Sequence, residues 1–250
     1  MPPSQVPEAA LPSAVTLPLT APASESLAQR LIGSVVHFFT YHLFLKRKGA
    51  AETFAAGFRF VVPPTVFHPG VFKTGEYFAG FIDDLDLGGL RVADIGTGSG
   101  ILALAAARAG AASVVALDIN PQAAQAANDN AHINGLRDRV TGICSDLMSA
   151  LAARPLFDVI VTNPPYFPGE PRDLADRAWH SGPSHRDILE LFVQARERLA
   201  PGGRMYVLLS ARTDLVFVQA LMERAGFRVR LADQRSIMID TFVIYELLAG

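Results

Sequence analysis

The chain carries little charge and almost no cysteine. Only 18% of its 250 residues are Asp, Glu, Lys or Arg, while 50% are hydrophobic. That balance is far from a disordered composition and predicts a sizeable core. Neither sign of charge dominates: the net charge is −2 and the pI about 6.3. A dedicated nucleic-acid binder usually shows a basic excess, so the composition argues against that class. A local patch from Lys46-Arg47-Lys48, Arg59 and Lys73 stays possible; a solvated helix end is the alternative. The single cysteine, Cys144, excludes an internal disulfide and suits a reducing cytoplasm. It falls in a predicted strand and is read as core. The apolar stretch Leu31 to Leu45 holds about 15 residues and two histidines, short of the ~20 that span a bilayer. No stable membrane insertion is expected. His37 and His42 are five apart, the wrong spacing for one helical face, so no metal site is predicted. Residues 1–23 contain no Lys or Arg and six prolines. They read as a disordered tail, without the basic start or apolar core of a secretory signal.

What is present alternates helix and strand. Residues 24–82 open with a capping box at Ser26 to Gln29 and a helix from Leu27 to Lys48. A lead-in follows, with a strand at Phe58 to Val62 and a helix near Glu76 to Leu85. Residues 83–250 then give strands and helices in turn: Pro121 to Asn134, Arg139 to Cys144, Phe157 to Thr162, Asp187 to Leu199, Arg204 to Ser210 and Asp214 to Ala225. Pro201-Gly202-Gly203 is read as a helix stop. The pattern predicts a doubly wound, mostly parallel α/β sheet with ligands at the carboxyl ends of its strands. Phe227 to Leu231 and Thr241 to Leu248 have no helix between them and suit an antiparallel edge.

Three features carry chemistry. Val92-Ala-Asp94-Ile-Gly96-Thr97-Gly98-Ser-Gly100 is a strand running into a glycine loop, with a helix behind it. The third glycine comes one residue too early for a dinucleotide fingerprint, so the loop fits a nucleoside ligand without a pyrophosphate. Asp94 places an acid where a cationic group could sit. The next strand ends in Asp118-Ile119, 24 residues on, placed to grip the hydroxyls of a ribose. The third ends in Ser145-Asp146, an acceptor for an adenine amino group.

The third feature is Asn163-Pro164-Pro165-Tyr166. Two prolines end a buried strand and remove two N–H groups, so nearby carbonyls point beyond the strand end. Asn163 Oδ1 and the Pro164 carbonyl offer two acceptors, and Tyr166 a face. That set suits a planar NH2 group.

With these motifs the chain resembles the class I S-adenosylmethionine-dependent methyltransferases. The resemblance spans roughly residues 65 to 250. It implies a Rossmann-like seven-stranded sheet and S-adenosyl-L-methionine as cofactor, held by Asp94, Gly96, Thr97, Gly98, Gly100, Asp118, Ile119, Asp146 and Asn163. Asn-Pro-Pro-Tyr is similar to the signature of members that methylate planar nitrogens. It implies Asn163, Pro164 and Tyr166 as catalytic residues. Ala178-Trp179-His180-Ser181-Gly182 and His185-Arg186-Asp187 resemble elements of the protein-glutamine methyltransferases, although His185 and Ser181 replace expected glycines. Pro69-Gly-Val-Phe72 resembles ribosomal-RNA guanine methyltransferases. In relatives the lead-in folds over the methyl donor, so Phe72, Thr74, Pro165 and Trp179 are candidate acceptor-site residues. His68 is read as structural or surface. The expected acceptor is a protein glutamine, with an RNA exocyclic amine or a small metabolite as alternatives. A non-catalytic cofactor-binding scaffold is a more remote one.

Overall fold

A computed structural model describes residues 49–70, 73–165, 186–237 and 240–249. Nine strands and five helices lie within them. A hairpin comes first: β1 (Ala51–Ala55) and β2 (Phe58–Val62). Its turn, Ala56-Gly57, has φ of 48° and 79°. Two consecutive left-handed residues match the twist of the flanking strands. β1 is not predicted from sequence, because its alternation is short and half polar. Helix α1 (Lys73–Asp83) follows.

The remaining elements are β3 (Arg91–Ile95), α2 (Ile101–Arg108), β4 (Ser113–Asp118), α3 (Pro121–Ile133), β5 (Val140–Cys144) and β6 (Phe157–Thr162). Then come α4 (Arg186–Arg198), β7 (Leu199–Ser210), α5 (Leu215–Arg224), β8 (Phe227–Ile237) and β9 (Asp240–Ala249). Seven of the strands form one sheet in the order β5-β4-β3-β6-β7-β9-β8. β3 to β7 pair in parallel, and β9 runs against both β7 and β8. The expected antiparallel end is there, with the reversed strand one place in from the rim.

The sheet is covered on both faces. Along β6, Val159 and Val161 face one core while Ile160 faces the other, the two-residue period of a strand. The hairpin, α1, α2 and α3 cover the first face, and α4 and α5 the second. Helix α2 is buried from Ile101 to Ala107. A helix that is apolar all round must be enclosed, and here α1, α3 and the sheet enclose it. The reversal from β3 to β6 at the sheet centre opens a crevice at the carboxyl ends, where ligands bind in such folds.

Two expectations change. The helix read as Asp187 to Leu199 does end ahead of Pro201-Gly202-Gly203, at Arg198, but the next strand, expected from Arg204, begins at Leu199 and takes those residues into β7. Cys144 is exposed rather than core, because β5 is a rim strand and Cys144 is its last residue. The predicted tail (1–23), the helix at 27–48, Phe72, Tyr166 and Trp179 lie outside the described residues. So do the side chains of Arg186 and Asp187. Among the described residues no helix is long and apolar enough to cross a membrane.

Candidate active site

The site is built on the glycine loop after β3. The N–H groups of Gly96 and Thr97 both donate to the Leu117 carbonyl, at 2.8 and 2.9 Å, so the loop crosses the end of β4. Gly100 N–H returns to the Thr97 carbonyl at 2.9 Å and opens helix α2. Gly100 has φ of 93°, and a Cβ there would stand 3.1 Å from the Ala127 Cα. Only glycine meets both conditions. A Cβ at Gly96 would touch nothing within 4 Å, so that part of the loop faces open space.

Asp94 is fully buried under this loop. Its Oδ2 accepts from Thr97 Oγ1 at 2.6 Å and from Ala103 N–H at 3.1 Å. The second bond satisfies an open donor in the first turn of α2, whose cap, Gly100, has no side chain. Asp94 Oδ1 is buried with no hydrogen-bond partner among the described residues. Burial pushes this carboxyl up to about 7; Thr97 and Ala103 pull it down, and Asp118 adds repulsion. A buried carboxylate with one orphaned oxygen suits a cationic or donor group of a ligand.

Asp118 ends β4. One oxygen accepts Gly98 N–H at 2.9 Å and the other Asn120 N–H at 2.9 Å. It therefore holds the loop and the start of α3 together. Burial raises its carboxyl above the ordinary range, against the lowering effect of those two N–H groups. Each oxygen keeps a lone pair for a ligand hydroxyl. Ser145 N–H donates to the Asp118 carbonyl at 2.8 Å, which brings the end of β5 alongside. Asp146 itself is exposed, and Ile119 is half-buried with its carbonyl 3.6 Å from Cys144 Sγ.

Thr162 is buried at the end of β6 and donates to the Ile95 carbonyl at 2.8 Å. That bond ties the start of Asn163-Pro164-Pro165 to the start of the glycine loop. Both prolines, Gly96, Leu147, Ile188 and Leu191 line one small, open apolar cleft. Asn163 is half-buried beside it. Thr74 is half-buried in the first turn of α1, where Gly75 packs near Ile101. No described contact joins Thr74 or Asp146 to the loop. His68 is buried, as a structural residue would be. Sequence reasoning missed Thr65, Phe67, Asn120 and Thr162. Asn120 Nδ2 donates to the carbonyl and hydroxyl of Thr65 at 3.3 and 3.2 Å. Phe67 Cβ lies 3.5 Å from where a side chain on Gly98 would start. Nothing local in the sequence marks Thr65 or Phe67. Thr162 reads only as the last strand residue.

The family model of ribosomal protein L11 methyltransferase (PrmA) matches residues 64–164, from the end of the lead-in through the glycine loop to Pro164. The chain is a class I S-adenosylmethionine-dependent methyltransferase. Among curated relatives of this methyltransferase is a Methanocaldococcus jannaschii protein provisionally named a protein N5-glutamine methyltransferase. It is 29% identical over 183 residues, covering 71% of this chain and 91% of that one. A ribosomal protein L11 methyltransferase of Salmonella newport is 43% identical over 102 residues, 40% of this chain and 33% of its own length. The fold is shared with the T. thermophilus 16S rRNA N2-guanine methyltransferase solved with S-adenosylmethionine and guanosine. That match has a TM-score of 0.60 at 23% identity and covers 80% of this chain and 50% of that one. The orphaned Asp94 oxygen, the open face at Gly96 and the two-handed Asp118 fit the cofactor of this class.

Proposed function

We propose that this methyltransferase methylates a planar amide or exocyclic amine nitrogen, with a glutamine side chain in a protein as the leading acceptor. One observation carries the reading. Asn163-Pro164 ends the central strand β6 at the cleft shared with Gly96. In this reading Asn163 Oδ1 and the Pro164 carbonyl each accept one N–H of the acceptor. That aligns the nitrogen and favours the positive charge developing on it. Tyr166 supplies the stacking face. Asp94, Gly96, Thr97, Gly98, Gly100, Asp118, Ile119 and Asp146 hold the cofactor within residues 83–250. Residues 24–82 cover it and, with Phe72, Thr74, Pro165 and Trp179, shape the acceptor side. S-adenosylmethionine supplies, when bound, a methyl already activated on a sulfonium. The M. jannaschii relative supports the glutamine reading by its name and by near full-length coverage. We further propose a reducing, cytoplasmic setting, in keeping with the free, exposed thiol of Cys144.

The test is transfer of labelled methyl from S-adenosylmethionine to cell extract, fractionated into protein, RNA and small molecules. Label should appear in protein and be recovered as N5-methylglutamine. Label confined to RNA or to small molecules would replace the glutamine reading with the corresponding acceptor.

Asp94 makes cofactor affinity depend on pH. Its carboxyl in the fold lies near 7, above the ordinary 3.8, so ionising it costs stability as pH climbs between those values. A bound cation favours the ionised form. Binding then releases a proton below about pH 7, and affinity should rise up to about that pH and level off above it, by less than about tenfold per pH unit. Calorimetry from about pH 5.5 to 8 would show the slope. Asp94→Asn should flatten it; an unchanged slope in that variant would assign the proton elsewhere.

A further inference from the structure

Helix α3 holds a polar residue where its pattern calls for alanine. Ala123, Ala127 and Ala131 are buried, and so is Asn130, with no exposed surface at all. All of its amide is in use. Oδ1 accepts Val61 N–H at 2.8 Å; Nδ2 donates to the Val61 carbonyl at 3.3 Å and to the Ser99 carbonyl at 2.9 Å. Val61 belongs to lead-in strand β2, and Ser99 stands between Gly98 and Gly100 in the cofactor loop. One side chain therefore joins two segments far apart in sequence.

Its surroundings make this a junction rather than simple satisfaction of a strand edge. One turn later, Asn134 accepts Arg59 N–H at 3.1 Å and donates to the Arg59 carbonyl at 2.7 Å. Together the two asparagines bond alternate residues of β2, as a neighbouring strand would. Only Asn130 also reaches the loop. On the same helix, Ala127 packs against Gly100. The chain leaving β2 carries Thr65, gripped by Asn120, and Phe67, which lies against Gly98.

We infer that Asn130 is a positioning residue that couples the lead-in segment to the cofactor loop, so that occupancy of the loop is felt at β2. The inference rests on the reading that the loop from Gly96 to Gly100 holds the cofactor. A coupling between two sites is reciprocal. Whatever the cofactor does to the Ser99 carbonyl must appear at Val61, and loosening Val61 must weaken cofactor binding. A buried amide that has lost one partner is left unsatisfied, which makes the link stiff.

The experiment is hydrogen exchange on the full chain, with and without S-adenosylhomocysteine, alongside calorimetry. In the wild type the ligand should slow exchange at both Gly98 and Val61. Asn130→Asp keeps the acceptor for Val61 N–H and removes both donors. It should weaken binding about tenfold, the scale of one buried hydrogen bond. It should also abolish the ligand effect at Val61 while keeping it at Gly98. Asn134→Ala loosens the same strand without touching the loop and should leave affinity within about twofold, inside the range of non-contact surface changes. Equal affinity losses in the two variants would mean a merely structural role and overturn the inference. So would wild-type protection at Gly98 without protection at Val61. No protection at Gly98 would instead sink the cofactor-loop reading. If Asn130→Asp does not fold, the wild-type comparison of the two amides still decides the matter.

Discussion

Asn163→Ala should lower kcat by about 10²–10³ while leaving S-adenosylmethionine affinity nearly unchanged, the scale for losing one well-placed electrostatic contact. The acceptor nitrogen is a weak nucleophile because its lone pair is delocalised. It becomes positive only as the new bond forms. An acceptor oxygen aimed at its N–H groups therefore contributes most in the transition state. The structure gives Asn163 a firm base for that task. Thr162 is hydrogen-bonded to the Ile95 carbonyl, and Pro164 behind it is buried, so the backbone on both sides is held. Asn163→Asp keeps an acceptor and adds a negative charge, so it should retain partial activity and bind the cofactor more tightly. Tyr166→Ala should harm acceptor binding more than Tyr166→Phe, since stacking needs the ring alone. Single-turnover methyl transfer with a purified acceptor measures all four. A wild-type rate for Asn163→Ala would mean that no planar NH2 group is gripped there, and would favour an oxygen- or carbon-directed methyltransferase.

Asp118→Ala should weaken cofactor binding by about 10- to 100-fold, or roughly 1.4–3 kcal/mol, the range for a lost hydrogen bond to a charged group. Two losses combine. The ribose loses its acceptor, and Gly98 and Asn120 lose the carboxylate that pins their N–H groups. Asp118→Asn separates them in part: its one amide oxygen can keep either the Gly98 or the Asn120 N–H, and its NH2 then faces the other donor. Burial already raises this carboxyl, so the fold disfavours its charged form. The neutral amide removes that charge cost and keeps one of the two N–H bonds, so Asp118→Asn should melt above Asp118→Ala at pH 7.5 and still cost cofactor affinity. Calorimetry and thermal melts on both variants test this. Full affinity in a folded Asp118→Ala would place the ribose on another group.

Much of the sheet and half of the site were legible in the residues alone, for a local reason. A strand running into Gly96, Gly98 and Gly100 is recognisable because each glycine answers to its own backbone angle or its own close approach. Counting to the ends of successive strands leads to Asp118, which holds Gly98 and Asn120, and to Asp146, which is exposed and has no described contact with the loop. Errors came where a residue's fate depends on distant chain. Cys144 is read as core because it falls in a predicted strand; it is exposed because, among the described residues, no strand flanks β5 on that side. Pro201-Gly202-Gly203 looks like a helix stop, and the helix does end before it; that these residues belong to β7, as an irregularity between the pairs Phe157–Leu199 and Val159–Arg204, depends on β6 lying alongside.

The sequence by itself determined the helix and strand alternation, the glycine loop, the strand-end acids and the proline-stiffened end of β6. All of these follow from side-chain period and backbone freedom within a few residues. The tertiary structure alone decided what those pieces lean on. Asn130 meets Val61 across 69 positions, Thr162 meets Ile95 across 67, and Asn120 meets Thr65 across 55. An asparagine in an alanine-rich helix, or a threonine closing a strand, looks the same with or without such a partner. Hydrogen bonds are made by proximity, and only the folded sheet, with α3 laid beside the hairpin, brings these groups within reach.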